Sequence, residues 1–243
     1  MGGVIGHKDH HVVVPVSCLL DTWHDHDRIA SLTSLSNMGP RQFLLHIVGD
    51  SGSGKTSFVS RNSYLQLPDA IIGDDENEST WHYLDFDTNL GRIRFSCHDH
   101  HGGIETLNDE MFHEGDCIIL LIDVTNITSL VSLPTWTHSI VSRNARVPVV
   151  LCGNKVDAIN DRRVQPIMVL EETIWQYYEI SALANFNFEK PFMYLIRKLM
   201  DNQDIHFAHP VNLLPPTIML SEEARAQIEE NYQTARGLFE EVF

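Results

Sequence analysis

The sequence predicts an α/β fold, a three-layer sandwich whose helices cover both faces of a mixed, mostly parallel sheet of six strands. One more helix is expected at the C-terminal end. Three observations carry this expectation. Short, dense apolar runs at 43–48, 117–122 and 147–152 have the character of parallel strands covered on both faces. Segments with apolar residues at helical spacing separate such runs, which calls for right-handed crossovers. A glycine-rich turn, Gly49-Asp50-Ser51-Gly52-Ser53-Gly54-Lys55-Thr56, joins the first run to Ser57-Phe58-Val59-Ser60-Arg61, which holds no helix breaker.

Each element has its own signal. Residues 1–40 show no stable periodicity, carry His7, His10, His11, His24 and His26, and read as a mostly flexible extension that Gly39-Pro40 closes. Trp81 to Phe86 and Arg92 to Cys97 read as two strands joined by Asp87-Thr88-Asn89-Leu90-Gly91, a hairpin and hence one antiparallel pairing. Leu130, Leu133, Trp136 and Ile140 fall on one helical face, and Phe192, Leu195, Ile196 and Leu199 do so within 189–200. Past Met200 the chain runs through Pro210 and the breaker pair Pro215-Pro216. Ser221 then caps a final helix with Glu222 and Glu223 in its first turn. Its stripe of Ala224, Ile228, Tyr232, Ala235, Leu238/Phe239 and Val242 must pack on something, and the main domain is the nearest surface.

Composition narrows the function. At 243 residues the chain suits one domain with extensions, and no run approaches the ~20 apolar residues of a membrane helix. Val12 to Leu20 is too short, is broken by Pro15 and lacks the flanks of a signal peptide. Cys18, Cys97, Cys117 and Cys152 are scattered, which suits reduced thiols in an intracellular protein. A formal charge of −16 argues against nonspecific nucleic-acid or acidic-membrane binding and favours partners with basic surfaces.

The motifs point to a nucleotide. Gly49 to Thr56 fills every required position of a P-loop, whose backbone N–H groups converge on phosphates. Lys55 would reach the outer phosphates, and the Thr56 hydroxyl would ligate Mg²⁺. The fold expected is therefore that of P-loop NTPases. Asn154-Lys155-Val156-Asp157 follows a strand, and the Asp157 carboxylate can accept from both N1–H and the exocyclic amine of guanine. Adenine lacks that donor pair, so Asp157 would exclude ATP. Ser181-Ala182-Leu183 follows Tyr177 to Ile180, where the Ala182 N–H could meet the guanine carbonyl. Asp99 ends a strand three residues before Gly102, a spacing that sets a carboxylate behind the Mg²⁺ water shell and an N–H near the γ-phosphate. Cys97, His98, Asp99, His100 and His101 also have metal-ligand chemistry. Strand alternation sends neighbours to opposite faces, so the five do not converge on one ion and no transition-metal site is expected from this run.

On these residues the chain resembles small GTPases of the Ran family across about residues 41–240. The likeness is carried by Gly49 to Phe58, Asp123-Val124-Thr125, Leu151 to Asp157, Ile180-Ser181-Ala182 and Asn185-Phe186-Asn187-Phe188-Glu189-Lys190-Pro191-Phe192, with Tyr194 to Leu199. The Pro-Pro linker and C-terminal helix also fit. The resemblance implies a small GTPase G domain at 41–200 and a Ran-like linker and helix at 201–243. It implies GTP/GDP and Mg²⁺ as cofactors and a switch in nuclear transport, loaded by a nucleotide exchange factor and read by importin-type transport receptors. The expected protein is a monomer of nucleus and cytoplasm that touches neither nucleic acid nor membrane. The nucleotide-binding set is Asp50, Ser51, Gly52, Ser53, Gly54, Lys55, Thr56, Ser57, Gly102, Asn154, Lys155, Asp157, Ser181, Ala182 and Leu183. The metal set is Thr56 and Asp99, joined by a switch I residue that is Thr80 or Ser79 if the spacing has slipped and Glu76 in direct register.

The chain also departs from the family. Gly103 stands where the catalytic glutamine belongs, and Ser96 to Asp116 holds no glutamine. Ser51 replaces a glycine where larger residues impair hydrolysis. No catalytic residue is assigned, and His100, His101 and Glu105 are the available substitutes. A family basic patch reads Leu170-Glu171-Glu172-Thr173, Leu183 replaces a lysine, and the acidic tail is missing. The expectation is a Ran-like G protein of reduced GTPase activity. Two alternatives stay open: a non-hydrolysing, guanine-nucleotide-dependent binding module, or an interaction protein without nucleotide.

Overall fold

The structure, a computed structural model, describes residues 40–61 and 80–242. The extension at 1–39 and the switch I candidates Glu76 and Ser79 lie outside the described residues. Six strands form one sheet: β1 (Arg41–Gly49), β2 (Thr80–Thr88), β3 (Gly91–Asp99), β4 (Cys117–Asp123), β5 (Val149–Asn154) and β6 (Gln176–Glu179). Their spatial order is β2-β3-β1-β4-β5-β6. Only β2 and β3 run antiparallel; the other neighbours are parallel. The helices are α1 (Lys55–Val59), α2 (Asp109–Glu114), α3 (Ile127–Arg143), α4 (Pro166–Glu172), α5 (Glu189–Leu199) and α6 (Glu222–Val242).

Both faces of the sheet are covered, as the dense apolar strands require. Every residue of β4 and of β5 is buried. One face packs Phe58, Phe86, Phe95, Phe188 and Phe192 together beneath α1 and α5. The rings of Phe58 and Phe192 stack at 5.5 Å. The other face holds Leu133, Trp136 and Ile140 of α3 with Val169 and Tyr177. α3 begins at Asn126, whose Oδ1 accepts from the Thr128 N–H at 3.1 Å. It tolerates Pro134 in its interior because that residue is exposed, where water can satisfy the carbonyl that proline leaves unpaired.

Some boundaries differ from expectation. β2 and β3 are each nine residues long, so only Asn89-Leu90 separates them. Backbone pairing between the strands offsets the weak alternation at their ends, which a sequence pattern does not register. α2 and α4 gave no sequence signal because each spans under two turns. α6 packs its stripe on the main domain: Ile228, Tyr232 and Ala235 are buried, and the Tyr232 hydroxyl donates to the Tyr177 carbonyl at 2.8 Å. Leu238, placed on that stripe, is 54 % exposed. At about 1.5 Å per residue the helix far outruns the short α4 beneath it, so its last turns leave their packing surface. The described residues 40–61 and 80–242 belong to one compact unit. Among the described residues no helix is long and apolar enough to cross a membrane. Cys97, Cys117 and Cys152 are buried free thiols.

Candidate functional site

The glycine-rich turn leaves β1 at Gly49 and enters α1 at Lys55. Two of its glycines are there for space as well as conformation. A Cβ on Gly49 would lie 2.1 Å from the Leu121 carbonyl oxygen, and one on Gly54 would lie 2.3 Å from Asn154 Nδ2. Both have positive φ, 144° and 94°, which side chains resist. The turn therefore nests against β4 and β5, and Ser51 and Gly52 at its tip are exposed.

Lys55 is buried, and its ammonium donates to the carbonyls of Gly49 (2.7 Å), Asp50 (3.1 Å) and Gly102 (2.9 Å). One side chain thus ties the glycine-rich turn to the D-x-x-G turn. Burial lowers its pKa, opposed by the carboxylates of Asp99, Asp50 and Glu105. Thr56 Oγ1 donates to Asp99 Oδ2. Asp99 is fully buried, and its Oδ1 has no partner among the described residues. An unsatisfied buried carboxylate oxygen beside a threonine hydroxyl is a donor set that a hard divalent cation fits, so the residues present suit Mg²⁺. Ser53 is buried too, and its Oγ has no partner among the described residues. Ser57 is exposed on the first turn of α1. Thr80 opens β2 opposite Asp99, which brings its backbone to the site; its side chain is not described.

The Asp50 side chain does something the sequence did not signal. Its carboxylate accepts from Trp136 Nε1 (2.8 Å) and Ser132 Oγ (2.7 Å), so it braces the turn on α3. The side chain is therefore engaged with α3, while the backbone of Asp50 stays part of the turn. Trp136 was expected only as a core residue.

A second cluster meets the first from the ends of β5 and β6. Asn154 is buried, its Nδ2 donating to the Ser53 carbonyl (2.9 Å) and its Oδ1 accepting from the Ala182 N–H (3.0 Å). The Ala182 N–H, read from the sequence as a donor to the guanine carbonyl, is thus paired with Asn154 in this structure. Ser181 Oγ donates to Asp157 Oδ1 and accepts from the Ala184 N–H at 3.0 Å. Asp157 is half-buried and keeps lone pairs for a donor pair. Lys155 sits at φ 71°, its ammonium 2.6 Å from Asp123 Oδ2. Leu183 is exposed, and its carbonyl accepts from the Thr217 and Ile218 N–H groups of the C-terminal linker.

Gly103 has φ −114°, so its backbone does not demand glycine. Its N–H donates to Glu105 Oε1 at 2.9 Å. His101 and Glu105 are exposed, whereas His100 is buried with its Nε2 2.9 Å from His46 Nδ1. Burial and the neighbouring His98 hold His46 near pKa 4, and burial with the neighbouring His98, His46, Lys55 and His101 holds His100 near 3.

The geometry joins a phosphate-type loop, a hard-cation donor pair and a carboxylate-bearing base corner on one edge of a six-stranded sheet. The Ras family model matches residues 44–201. The chain belongs to the Ras family, and its G domain is that of a GTP-binding switch protein.

Proposed function

We propose that this Ras-family protein is a Ran-like switch that binds GTP and GDP with Mg²⁺ and hydrolyses GTP slowly or hardly at all. In this reading it acts in nucleocytoplasmic transport, with importin-type receptors and an exchange factor as partners. The observation that supports guanine is the Asp157–Ser181–Asn154 corner. Asn154 fastens it to the phosphate loop through Ser53, so base and phosphates are read by one connected frame. The Asp157 carboxylate complements the two donors on the guanine edge and leaves adenine with none. Thr56 and Asp99 would hold Mg²⁺, which when bound offsets charge on the outer phosphates. Lys55 stands ready to exchange its carbonyl partners for phosphate oxygens.

The Ran-type assignment is supported by the run Asn185 to Phe192 and by the helix that follows Pro215-Pro216 and packs on the domain. Slow hydrolysis is supported by Gly103, which brings no side chain to orient water. Of the substitutes considered, His100 is committed to His46. The non-hydrolysing module is the second reading, favoured by the same glycine. Nucleotide extracted from freshly purified protein tests the first claim: guanine nucleotide supports it, and adenine nucleotide or none overturns it. Single-turnover phosphate release separates slow hydrolysis from none. GTP-dependent capture of importin-type receptors tests the transport role, and capture indifferent to the nucleotide would overturn it.

A further inference from the structure

We propose that His46, His98 and His100 form a binding site for a d-block divalent cation of the Zn²⁺ type. The three rings come from two strands. His46 lies on β1 directly opposite His98 on β3, and His100 comes two residues after His98, immediately past the end of β3. Alternation puts His98 and His100 on the same side of the chain and Asp99 on the other. One potential ligand nitrogen from each ring lies within 4.8 Å of the others. This proposal departs from the expectation drawn from the run Cys97 to His101, of which only His98 and His100 contribute. The third ligand comes from a strand more than fifty positions earlier, where no local pattern shows it.

The geometry is close to what an ion needs. Tetrahedral Zn²⁺ with Zn–N bonds of about 2.0–2.1 Å separates its ligand nitrogens by about 3.3 Å. His46 Nδ1 and His100 Nε2 are 2.9 Å apart, so that pair opens by about 0.4 Å while His98 closes in. Small rotations of χ2 supply both movements. The Trp81 ring stacks on His98 at 4.5 Å and 10°, which fixes the plane of one ligand. His46 and His100 are buried, and His46 Nε2 has no hydrogen-bond partner among the described residues. Three imidazoles suit Zn²⁺, Co²⁺ or Ni²⁺ better than the oxygen-seeking Mg²⁺. The site is distinct from the Thr56–Asp99 pair, and the proposal does not depend on the nucleotide reading.

The test uses the full chain, stripped with chelator and titrated with Co²⁺ as a spectroscopic probe, then with Zn²⁺ in competition. Because the extension also holds histidines, a second chain carries His7→Asn, His10→Asn, His11→Asn, His24→Asn and His26→Asn. The expected result is one tightly bound Co²⁺ with four- or five-coordinate visible absorption in both chains, displaced by Zn²⁺. His98→Gln, at a half-buried position that spares the core, should weaken binding by at least ~100-fold, as should His46→Gln where circular dichroism shows it folded. Loss of binding with the extension substitutions, survival of full affinity in His98→Gln, or no bound Co²⁺ would each overturn the proposal.

Discussion

The carboxylate of Asp50 accepts a hydrogen bond from the indole N–H of Trp136 at 2.8 Å, so the second residue of the glycine-rich turn is held by the middle of α3. A loop that must present its backbone to phosphate gains from such a brace, because its many glycines otherwise leave it conformationally free. The brace has a measurable worth. Trp136→Phe keeps most of the buried ring and deletes the donor, and should cost about 1.5–3 kcal/mol of stability, the range for a hydrogen bond to a charged group. Urea unfolding reads the loss, and release of a fluorescent guanine nucleotide should quicken with it. An unchanged midpoint and unchanged release would mean that Ser132 alone holds Asp50.

Asp157→Asn should shift preference from guanine to xanthine nucleotides, whose ring carries a carbonyl where guanine has its amine. The amide presents a donor there and loses one acceptor. Competition displacement measures it directly. Equal competition by ATP and GTP in the unmodified protein would remove Asp157 from base reading.

Lys55→Ala and Thr56→Asn should each weaken Mg-nucleotide binding by about 10- to 150-fold or more, the equivalent of 1.5–3 kcal/mol for a charge-assisted contact. Lys55→Ala should also loosen the D-x-x-G turn, since it deletes the bond to the Gly102 carbonyl. Wild-type affinity in either variant, by calorimetry, would show the turn to be a relic.

Intrinsic GTP hydrolysis should lie at least ~10²-fold below that of a glutamine-bearing family member, with little stimulation by a Ran GTPase-activating protein. Gly103→Gln is structurally admissible: φ is ordinary, and the nearest obstacle to a Cβ is the flexible Glu105 carboxylate at 2.9 Å. Recovery should need Ser51→Gly as well. Single-turnover phosphate release decides, and a robust stimulated rate in the unmodified chain would show that His101 or Glu105 orients water.

Arg162 and Glu179 form an ion pair at the end of β6, with side chains only 9 % and 2 % exposed. Arg162→Met should cost about 3–5 kcal/mol, because it strands a buried carboxylate whose remaining partner is the Tyr177 hydroxyl at 3.1 Å. Thermal unfolding measures it. The double variant Arg162→Met with Glu179→Leu should recover much of the loss, and no recovery would mean the damage is steric.

The parts legible in the sequence are those whose chemistry is local. The turn from Gly49 to Thr56, the Asn154 to Asp157 motif and the apolar stripes of α3 and α5 announce themselves within a few residues. Contacts between distant segments do not. Trp136 looks like any core tryptophan until Asp50 is seen beneath its N–H, and His46 looks like one polar interruption in a strand until β3 brings His98 and His100 alongside. Ala182 shows the same limit: that its N–H meets the Asn154 side chain from another strand is nowhere visible in the local triplet. Short helices such as α4, too brief to show a period, follow from packing and not from propensity.

Arg61, buried at the end of α1, reaches Asn185 Oδ1 at 2.9 Å and the carbonyls of Leu214 and Pro215, while Asn185 Nδ2 grips the same Leu214 carbonyl at 2.7 Å. The Leu183 carbonyl holds the amides of Thr217 and Ile218. The linker before α6 is therefore laced to the same loop that carries Ser181 and Ala182. Prising that linker away would unpick the seam at the base-reading corner, and whatever clamps the corner holds the linker down by the same amount. Amide exchange at Thr217 and Ile218 becomes a remote gauge of how firmly the far end of the site is closed.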